Sequence, residues 1–305
     1  MSNRTNGWIA KGQGLRPSLR WSFRTDAPLI DMVLAREAGD VILADESDAL
    51  YRLDRCGDVA SVNRGIGEIR AVAWADTGAW GYLLQGENEL TRVNRQLEAE
   101  WVVELPEAAM GLSCTPYGHH VAVGLVDGKN RIYDSEAKLV CEYETARPLS
   151  FLAFLASEPA IVGAAEYGLL CRHTIGGECV WDEKLWSNVG GMVVSGDGKT
   201  ILLAGFMYGI QTFDGRGQSR SSFVVEGTAH RASMSVGAER IVAATLEGHL
   251  YWLDSEGALL WAANAPEGIN QVACDPLGEW LVCAFASGRT VCLDWSGAPK
   301  GAGHA

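Results

Sequence analysis

The sequence predicts an all-β fold that is built from seven equal modules. Three observations support this prediction. Strand-like segments and turn signals recur every 40 residues with no insertion or deletion. Short, continuous apolar runs occupy the same strand position in every module. The last module lacks its fourth strand at the C-terminal end of the chain, and a strand of the required kind stands near the N-terminal end.

The clearest element of a module is the hairpin over 248–268, with the sequence GHLYWLDSEGALLWAANAPEG. Asp254 opens a reversal, Gly257 stands three residues later, and Trp261 lies in the strand that follows. An Asp side chain accepts backbone hydrogen bonds in a tight turn, and glycine readily adopts the positive φ that such a turn needs. The position of Asp254 recurs as Asp54, Asn94, Asp134, Thr174, Asp214 and Asp294.

Each module contains four strands, which we name A to D. The B strands are short apolar runs such as VILA at 41–44 and IVAA at 241–244. A run of this kind, without alternation of polar residues, is typical of a strand that is covered on both faces. A fixed period of about 40 residues with four strands per period is typical of propeller blades. The sequence therefore predicts a seven-bladed β-propeller with four-stranded antiparallel blades.

The two ends of the chain predict how the ring closes. Strand C of the seventh module spans 290–293, and no D strand follows it. Residues 18–23 have the character of a D strand, and Trp21 stands six periods of 40 residues before Trp261. We therefore expect strand 18–23 to complete the last blade beside 290–293, which leaves only short sheet edges.

The repeat covers residues 18–297, so we expect a single propeller domain with an N-terminal tail (1–17) and a C-terminal tail (298–305). The N-terminal tail carries Trp8 and Ile9. Two alternatives are open for it: a frayed segment, or an arm that docks on a partner through Trp8.

The chain has 305 residues, 48% apolar residues and a formal net charge of −13. The charge argues against nucleic acid or anionic membranes as main partners, and it is compatible with protein partners that have basic surfaces. No apolar run has the length of a signal peptide or a membrane span, which predicts a cytoplasmic protein with no membrane insertion. The eight cysteines include no CxxC pair or Cys/His cluster, so neither a metal site nor a cofactor is predicted.

The repeated pattern D-x-x-G-x-x-x-W, clearest at Asp254, Gly257 and Trp261, resembles the repeats of WD40-like and quinoprotein-like (PQQ-type) β-propellers. The resemblance covers about nine-tenths of the chain. WD40 repeats usually carry a Gly-His pair and end strand C with Trp-Asp, and neither feature recurs here. Quinoprotein dehydrogenases carry adjacent cysteines, calcium-binding acidic residues and an export signal, whereas this chain has no adjacent cysteines and no export signal. The resemblance implies a platform, and such platforms carry many unrelated functions.

Unusual residues in the loops of modules 4 and 5 predict a partner-binding site. The B–C loop of module 5 carries aromatic residues and Met where other modules are polar or small, and by propeller geometry the D–A loop between modules 4 and 5 lies on the same face. The predicted site residues are Tyr167, Leu185, Trp186, Phe206, Met207 and Tyr208. Clustered exposed aromatic residues are typical of interaction sites. The alternative is that these loops bury each other in a small local core.

The leading prediction is a non-enzymatic platform for protein–protein interaction, as a scaffold or accessory subunit of a cytoplasmic assembly. The alternative function is an enzyme or small-ligand-binding propeller with its site at the mouth of the central channel. Asp31, Arg231 and Gln271 are the polar exceptions among the small residues of the A strands, and they are the candidates for that site. A structural Asp31–Arg231 ion pair is the other explanation for them.

Two weaker candidates complete the set. His230 and His249 share module 6 and are candidates for a small site near its rim. Trp80, Trp280 and Trp295 are candidates for a second exposed patch on the opposite face. The alternative for that patch is structural, because Trp280 opens a B strand and Trp295 is placed to cover the ring closure.

Overall fold

The computed structural model describes residues 7–297, which form one short helix and 28 β-strands. The helix α1 spans Gly7–Ala10, and the first two strands are β1 (Gln13–Gly14) and β2 (Ser18–Arg24). Repeats 1 to 3 contain β3 (Leu29–Ala35), β4 (Asp40–Asp45), β5 (Ala49–Leu53), β6 (Val59–Arg64), β7 (Ile69–Trp74), β8 (Trp80–Gln85), β9 (Glu89–Asn94), β10 (Ala99–Glu104), β11 (Ala109–Cys114), β12 (His120–Leu125), β13 (Lys129–Asp134) and β14 (Leu139–Glu144).

Repeats 4 to 7 supply the remaining strands, and the prediction of an all-β fold is confirmed. These strands are β15 (Phe151–Phe154), β16 (Ala160–Ala165), β17 (Tyr167–Thr174), β18 (Cys179–Val194), β19 (Thr200–Gly205), β20 (Gly209–Asp214), β21 (Ser219–Phe223), β22 (Ala229–Met234), β23 (Arg240–Thr245), β24 (His249–Asp254), β25 (Leu259–Asn264), β26 (Ile269–Cys274), β27 (Trp280–Phe285) and β28 (Arg289–Asp294).

The strands pair as antiparallel sheets in which chain neighbours are mostly sheet neighbours. Repeats 1, 2 and 3 each form a separate four-stranded sheet. Repeats 4 and 5 share a seven-stranded sheet because the 16 residues of β18 serve as the last strand of repeat 4 and the first strand of repeat 5. Four-stranded antiparallel sheets that repeat along the chain are the blades of a β-propeller.

The N-terminal strand β2 belongs to the sheet of the last repeat, whose order is β2-β28-β27-β26. Ser18 lies opposite Asp294, Trp21 opposite Cys292, and Phe23 opposite Thr290. Strand β2 therefore lies at the place that the sequence analysis assigns to residues 18–23, and it gives β28 a partner on its outer side.

Contacts between neighbouring repeats follow the same period as the sequence. The Trp21 ring lies so close to Gly57 of repeat 1 that a Cβ atom at that glycine would be 2.5 Å from the ring Cγ. Trp181 of repeat 4 meets Gly217 of repeat 5 in the same way, at 2.7 Å. The last strand of one repeat thus packs on the C–D turn of the next.

The A strands of the repeats surround a cavity of about 300 Å³. They contact one another in succession: β3 with β7, β7 with β11, β11 with β15, β15 with β18, β18 with β22, β22 with β26, and β26 with β3. All seven strands contribute lining residues, namely Met32, Trp74, Leu112, Phe154, Met192, Ala232 and Val272 among others.

The C–D turns have the chemistry that the sequence predicts. The Asp254 carboxylate accepts hydrogen bonds from the N–H groups of Glu256 (2.9 Å) and Ala258 (2.8 Å). Equivalent pairs of bonds occur at Asp54, Asn94, Asp134 and Asp214. The residue three positions later has a positive φ even where the repeat lacks glycine, with φ of 67° at Leu97 and 65° at Ala137.

The described part of the N-terminal segment packs on repeats 6 and 7 through its apolar side chains. Trp8 and Ile9 are 8% and 4% exposed. The Trp8 ring centroid lies 6.1 Å from those of Trp261 and Phe285. This finding differs from both alternatives that the sequence left open, because Trp8 is buried against its own chain. Residues 1–6 and the predicted C-terminal tail, 298–305, lie outside the described residues.

Backbone pairing also holds this segment. Strand β1 adds a short antiparallel partner to the outer strand β25. Beyond it, the N–H of Leu15 donates to the carbonyl of Leu260 (2.8 Å), and the indole Nε1 of Trp295 donates to the carbonyl of Leu15 (2.6 Å). Helix α1 has only four residues, so no helix in residues 7–297 is long and apolar enough to cross a membrane.

Candidate functional site

The loops of repeats 4 and 5 carry a cluster of exposed side chains that we call the aromatic rim: Tyr167, Trp186, Phe206, Met207 and Tyr208. Their exposed fractions are 60%, 78%, 42%, 71% and 46% in that order. The exposure of Trp186 and Phe206 distinguishes an open patch from loops that bury each other. Because both side chains face solvent, these loops do not form a closed local core.

Leu185 does not belong to this surface, although the sequence analysis includes it. Its side chain is 8% exposed and packs in the core with Leu170, Val189 and Leu203. The structural reason is that β18 continues through this region as an extended strand. Successive side chains of a strand point to opposite sides, so Leu185 points inward and Trp186 points outward.

Hydrogen bonds fix the loop that presents the rim in repeat 5. The N–H of Phe206 donates to the carbonyl of Asn188 (3.0 Å), and the N–H of Met207 donates to the hydroxyl of Ser187 (3.3 Å). The Phe206 ring lies against the backbone of Gly190, where a Cβ atom would be 2.7 Å from the ring Cε1. The loop is therefore tied to β18, and its exposed side chains are presented on an ordered backbone.

A groove of about 340 Å³ opens beside the rim, between the outer strands of repeats 4 and 5. Trp186 and Tyr208 line it together with Glu183 and Phe213. The ammonium group of Lys184 lies 4.8 Å from the centroid of the Trp186 ring, in a cation–π contact. The groove can take an apolar or cationic side chain from another molecule.

Carboxylates surround the rim and have no basic partner among the described residues. Glu166, Glu183, Glu226 and Glu247 are exposed, and none of them forms an ion pair there. Hydrogen bonds from the N–H of Thr228 lower the pKa of Glu247, which keeps that side chain ionised. The potential around the rim is therefore negative, apart from the local charge of Lys184.

Sequence reasoning missed two exposed apolar residues on the same face, Val224 and Leu246, which are 91% and 58% exposed. The repeat contains a signal for Val224 that was available from the sequence. Its equivalents at steps of 40 residues are all polar or charged: Arg24, Arg64, Glu104, Glu144, Lys184 and Asn264.

The candidate residues at the channel mouth connect neighbouring A strands. The Asp31 carboxylate accepts hydrogen bonds from the N–H groups of Met32 (2.8 Å) and Val72 (2.9 Å) and from the side-chain amide of Gln271 (3.2 Å). Arg231 donates to the carbonyls of Gly190 (2.8 Å), His230 (3.0 Å) and Asn270 (2.9 Å). The structure therefore brings Asp31 and Gln271 together.

Asp31 and Arg231 do not form an ion pair within the described residues, so the predicted pair is not present. The physical reason is that backbone groups of adjacent strands already occupy both side chains. Burial raises the pKa of Asp31 and lowers the pKa of Arg231, since it disfavours the charged form of each.

The second tryptophan patch is not exposed. Trp280 and Trp295 are buried, and Trp80 is half-buried under the guanidinium of Arg92 at 4.3 Å. The Trp295 ring stacks on Trp252 with centroids 4.6 Å apart. These side chains are structural, as the alternative interpretation of the sequence holds.

The histidines of repeat 6 have separate backbone partners. The two ring nitrogens of His230 face the carbonyls of Ala244 (3.2 Å) and Ile269 (3.0 Å), whereas His249 Nδ1 lies 2.8 Å from the carbonyl oxygen of Glu226. In residues 7–297, no group of three or more His, Cys, Asp or Glu side chains has the arrangement that a metal ion needs.

Comparisons with known proteins agree with the class that this architecture defines, a β-propeller. The chain is similar to the β-propeller domain of Cps50 (Swd1) from Myceliophteria thermophila, a WD40 propeller, with a TM-score of 0.79 and 16% sequence identity. The match covers 91% of this chain and 99% of that chain. That domain is one of 1827 matching chains of solved structures, so the likeness defines the fold and selects no function.

No protein-family model and no curated protein matches the sequence. The structural likeness fits the WD40-like half of the resemblance. The PQQ-type half has no support from these comparisons.

Proposed function

We propose that this protein is a non-enzymatic platform for protein–protein interaction, and that it binds a partner through the aromatic rim. The observation that carries the proposal is the exposure of Trp186, Met207 and Tyr167, each 60% or more, on adjacent repeats of one face. Large apolar side chains in solvated loops gain nothing from water, whereas they dominate the binding energy of interfaces when they are buried there.

The proposal includes a closed ring of seven blades, which places the loops of repeats 4 and 5 side by side. The cavity lined by all seven A strands supports this arrangement, as does the contact of β26 with β3. Further support comes from Trp21, which pairs through β2 with repeat 7 and packs on Gly57 of repeat 1. We retain 18–297 as the propeller domain.

The partner that fits this surface is a protein with basic groups beside apolar ones. Glu166, Glu183, Glu226 and Glu247 offer carboxylates without intramolecular ion pairs, and the net charge of −13 opposes a nucleic-acid partner. Electrostatic complementarity of this kind steers association and excludes wrong partners, while the aromatic side chains supply most of the affinity.

A scaffold or accessory role in the cytoplasm is consistent with the remaining chemistry. Asp31, Arg231 and Gln271 use their polar atoms in bonds between strands, which gives them a structural role. All eight cysteines are free, and burial raises the pKa of the Cys171 and Cys292 thiols to about 12. Unreactive free thiols are typical of proteins in a reducing compartment.

The test is quantitative affinity purification from an extract of the native cells. Three tagged forms are compared: the wild type, the rim variant Trp186→Ala/Met207→Ala, and the control Leu277→Ala. Leu277 is 73% exposed in an A–B turn, so it removes an apolar side chain from the other face. We expect at least one protein to be recovered equally with the wild type and the control and about tenfold less with the rim variant. If the rim variant retains every partner, the assigned surface is wrong.

A further inference from the structure

The exposed apolar surface does not end at the aromatic rim. Val224 is 91% exposed, the highest value among the large apolar side chains that the structure describes. Gly209, which follows Tyr208, packs on the backbone of Phe223 and Val224, and a Cβ atom at Gly209 would lie 3.4 Å from the Val224 Cα. Val224 is therefore the direct neighbour of the rim on the side of repeat 6.

Val224 borders a groove of about 810 Å³, which we call the N-terminal groove. Its floor includes Tyr251 and Leu259 of repeat 6, and Trp8 and Lys11 of the N-terminal segment stand on the far side. Leu259 is 51% exposed, so apolar surface continues from Val224 along the floor. The volume lies in the range of about 300–1,000 Å³ that is common for binding clefts.

The walls of the N-terminal groove are held by hydrogen bonds. The carbonyl of Glu226 accepts a bond from the hydroxyl of Tyr251 (3.0 Å) and lies 2.8 Å from His249 Nδ1. On the far side, the pairing of β1 with β25 and the burial of Trp8 fix the N-terminal segment. A groove whose walls are already ordered costs little conformational entropy when a ligand binds.

We propose that the partner binds as an extended basic segment, which runs from the aromatic rim over Val224 into the N-terminal groove. This inference rests on the function proposed above and names the form of the partner. An extended chain fits because the apolar surface is a long track across repeats 4, 5 and 6, and alternate side chains of such a chain meet the same surface. Basic residues fit because Glu226 and Glu247 flank the track without ion pairs.

The probe is a displayed library of random peptides of about 16 residues, which span about 50 Å when extended. The library is selected on the purified full-length protein, and the recovered sequences are then synthesised with a fluorescent label. Affinity is measured by fluorescence anisotropy for the wild type, Trp186→Ala, Val224→Asp and the control Val102→Asp. Val102 is 57% exposed on an outer strand of repeat 2, away from the track.

We expect recovered peptides rich in Lys and Arg with apolar residues between them. Both Trp186→Ala and Val224→Asp weaken binding by about tenfold or more, and Val102→Asp changes it by less than about twofold. Circular dichroism checks that the variants are folded, and the exposure of all three side chains favours this outcome.

The possible failures differ from one another. If Trp186→Ala weakens binding and Val224→Asp does not, the extended track is wrong and the rim remains the binding surface. If neither variant weakens binding, both proposals fall. A library that yields no binder, or only acidic peptides, overturns the proposal of an extended basic segment.

Discussion

Replacement of Trp21 by Ala tests whether the N-terminal strand holds the last repeat to the first. Trp21 pairs through β2 with Cys292 of repeat 7, and its ring packs on Gly57 of repeat 1. The side chain is 8% exposed and lies in a core cluster with Leu53 and Trp280. Its removal therefore opens a cavity at the only place where the two ends of the described chain share a sheet.

The expected loss follows from the buried area. A tryptophan side chain buries about 150–250 Å², which corresponds to about 4–6 kcal/mol at about 25 cal/mol per Å². Part of that area is already buried in the unfolded chain, and measured Trp→Ala changes in cores cost about 3–5 kcal/mol. We expect Trp21→Ala to lower the free energy of unfolding by about 3–5 kcal/mol.

The assay is urea unfolding followed by far-ultraviolet circular dichroism, which does not depend on the tryptophan that is removed. The matched control is Trp186→Ala, which we expect to change the free energy of unfolding by less than about 0.5 kcal/mol because its side chain is 78% exposed. A loss below about 1 kcal/mol for Trp21→Ala would refute the reasoning, since a ring in this packing cannot be removed without cost.

Three further changes are predicted. Ala137→Gly raises the free energy of unfolding by about 0.5 kcal/mol, measured by urea unfolding, because Ala137 has a φ of 65° that glycine adopts without strain. Trp8→Ala removes a buried ring and speeds amide hydrogen exchange in 13–15, which exchange mass spectrometry detects. Burial lowers the pKa of His173, which stacks on Tyr143 at 4.4 Å. The unfolded chain therefore binds more protons at this site below its usual pKa, and the free energy of unfolding falls as pH falls through this range; His173→Gln flattens that dependence, whereas the exposed His119→Gln leaves it unchanged.

The repeat made the architecture predictable, because each module carries the same local chemistry. The turn at Asp254 and its five hydrogen-bonded equivalents need only a side-chain acceptor and a residue that tolerates positive φ. The buried B strands need only continuous apolar runs. Neither feature depends on contacts that are distant in the sequence, so periodicity was sufficient to place the strands.

The division between Leu185 and Trp186 was not predicted, because the sequence analysis treated both as loop residues. In the structure β18 runs through them without a break, so strand alternation buries one and exposes the other. Val224 was missed for a different reason. The search compared loops for aromatic residues and Met, and it did not compare the aliphatic residue at 224 with its polar equivalents.

The N-terminal segment was not predictable from the repeat, because no other module contains an equivalent of Trp8 or Gly14. Its position depends on tertiary contacts with Trp261, Phe285 and Trp295, which are brought together only after the propeller forms. The same limit applies to Asp31 and Arg231. Their positions near the channel followed from the period, whereas their hydrogen-bond partners belong to other strands.

The most direct measurement of the central claim is a cross-link between the two ends of the ring. Phe23 lies opposite Thr290 across β2 and β28, so Phe23→Cys/Thr290→Cys places two thiols on adjacent strands. After mild oxidation, peptide mapping is expected to find a disulfide that joins positions 23 and 290 in the monomer. The control Phe23→Cys/Thr91→Cys, with a buried threonine of repeat 2, is expected to form none. A chain that folds normally but never joins positions 23 and 290 would contradict closure by the N-terminal strand, and with it the placement of the rim on adjacent blades.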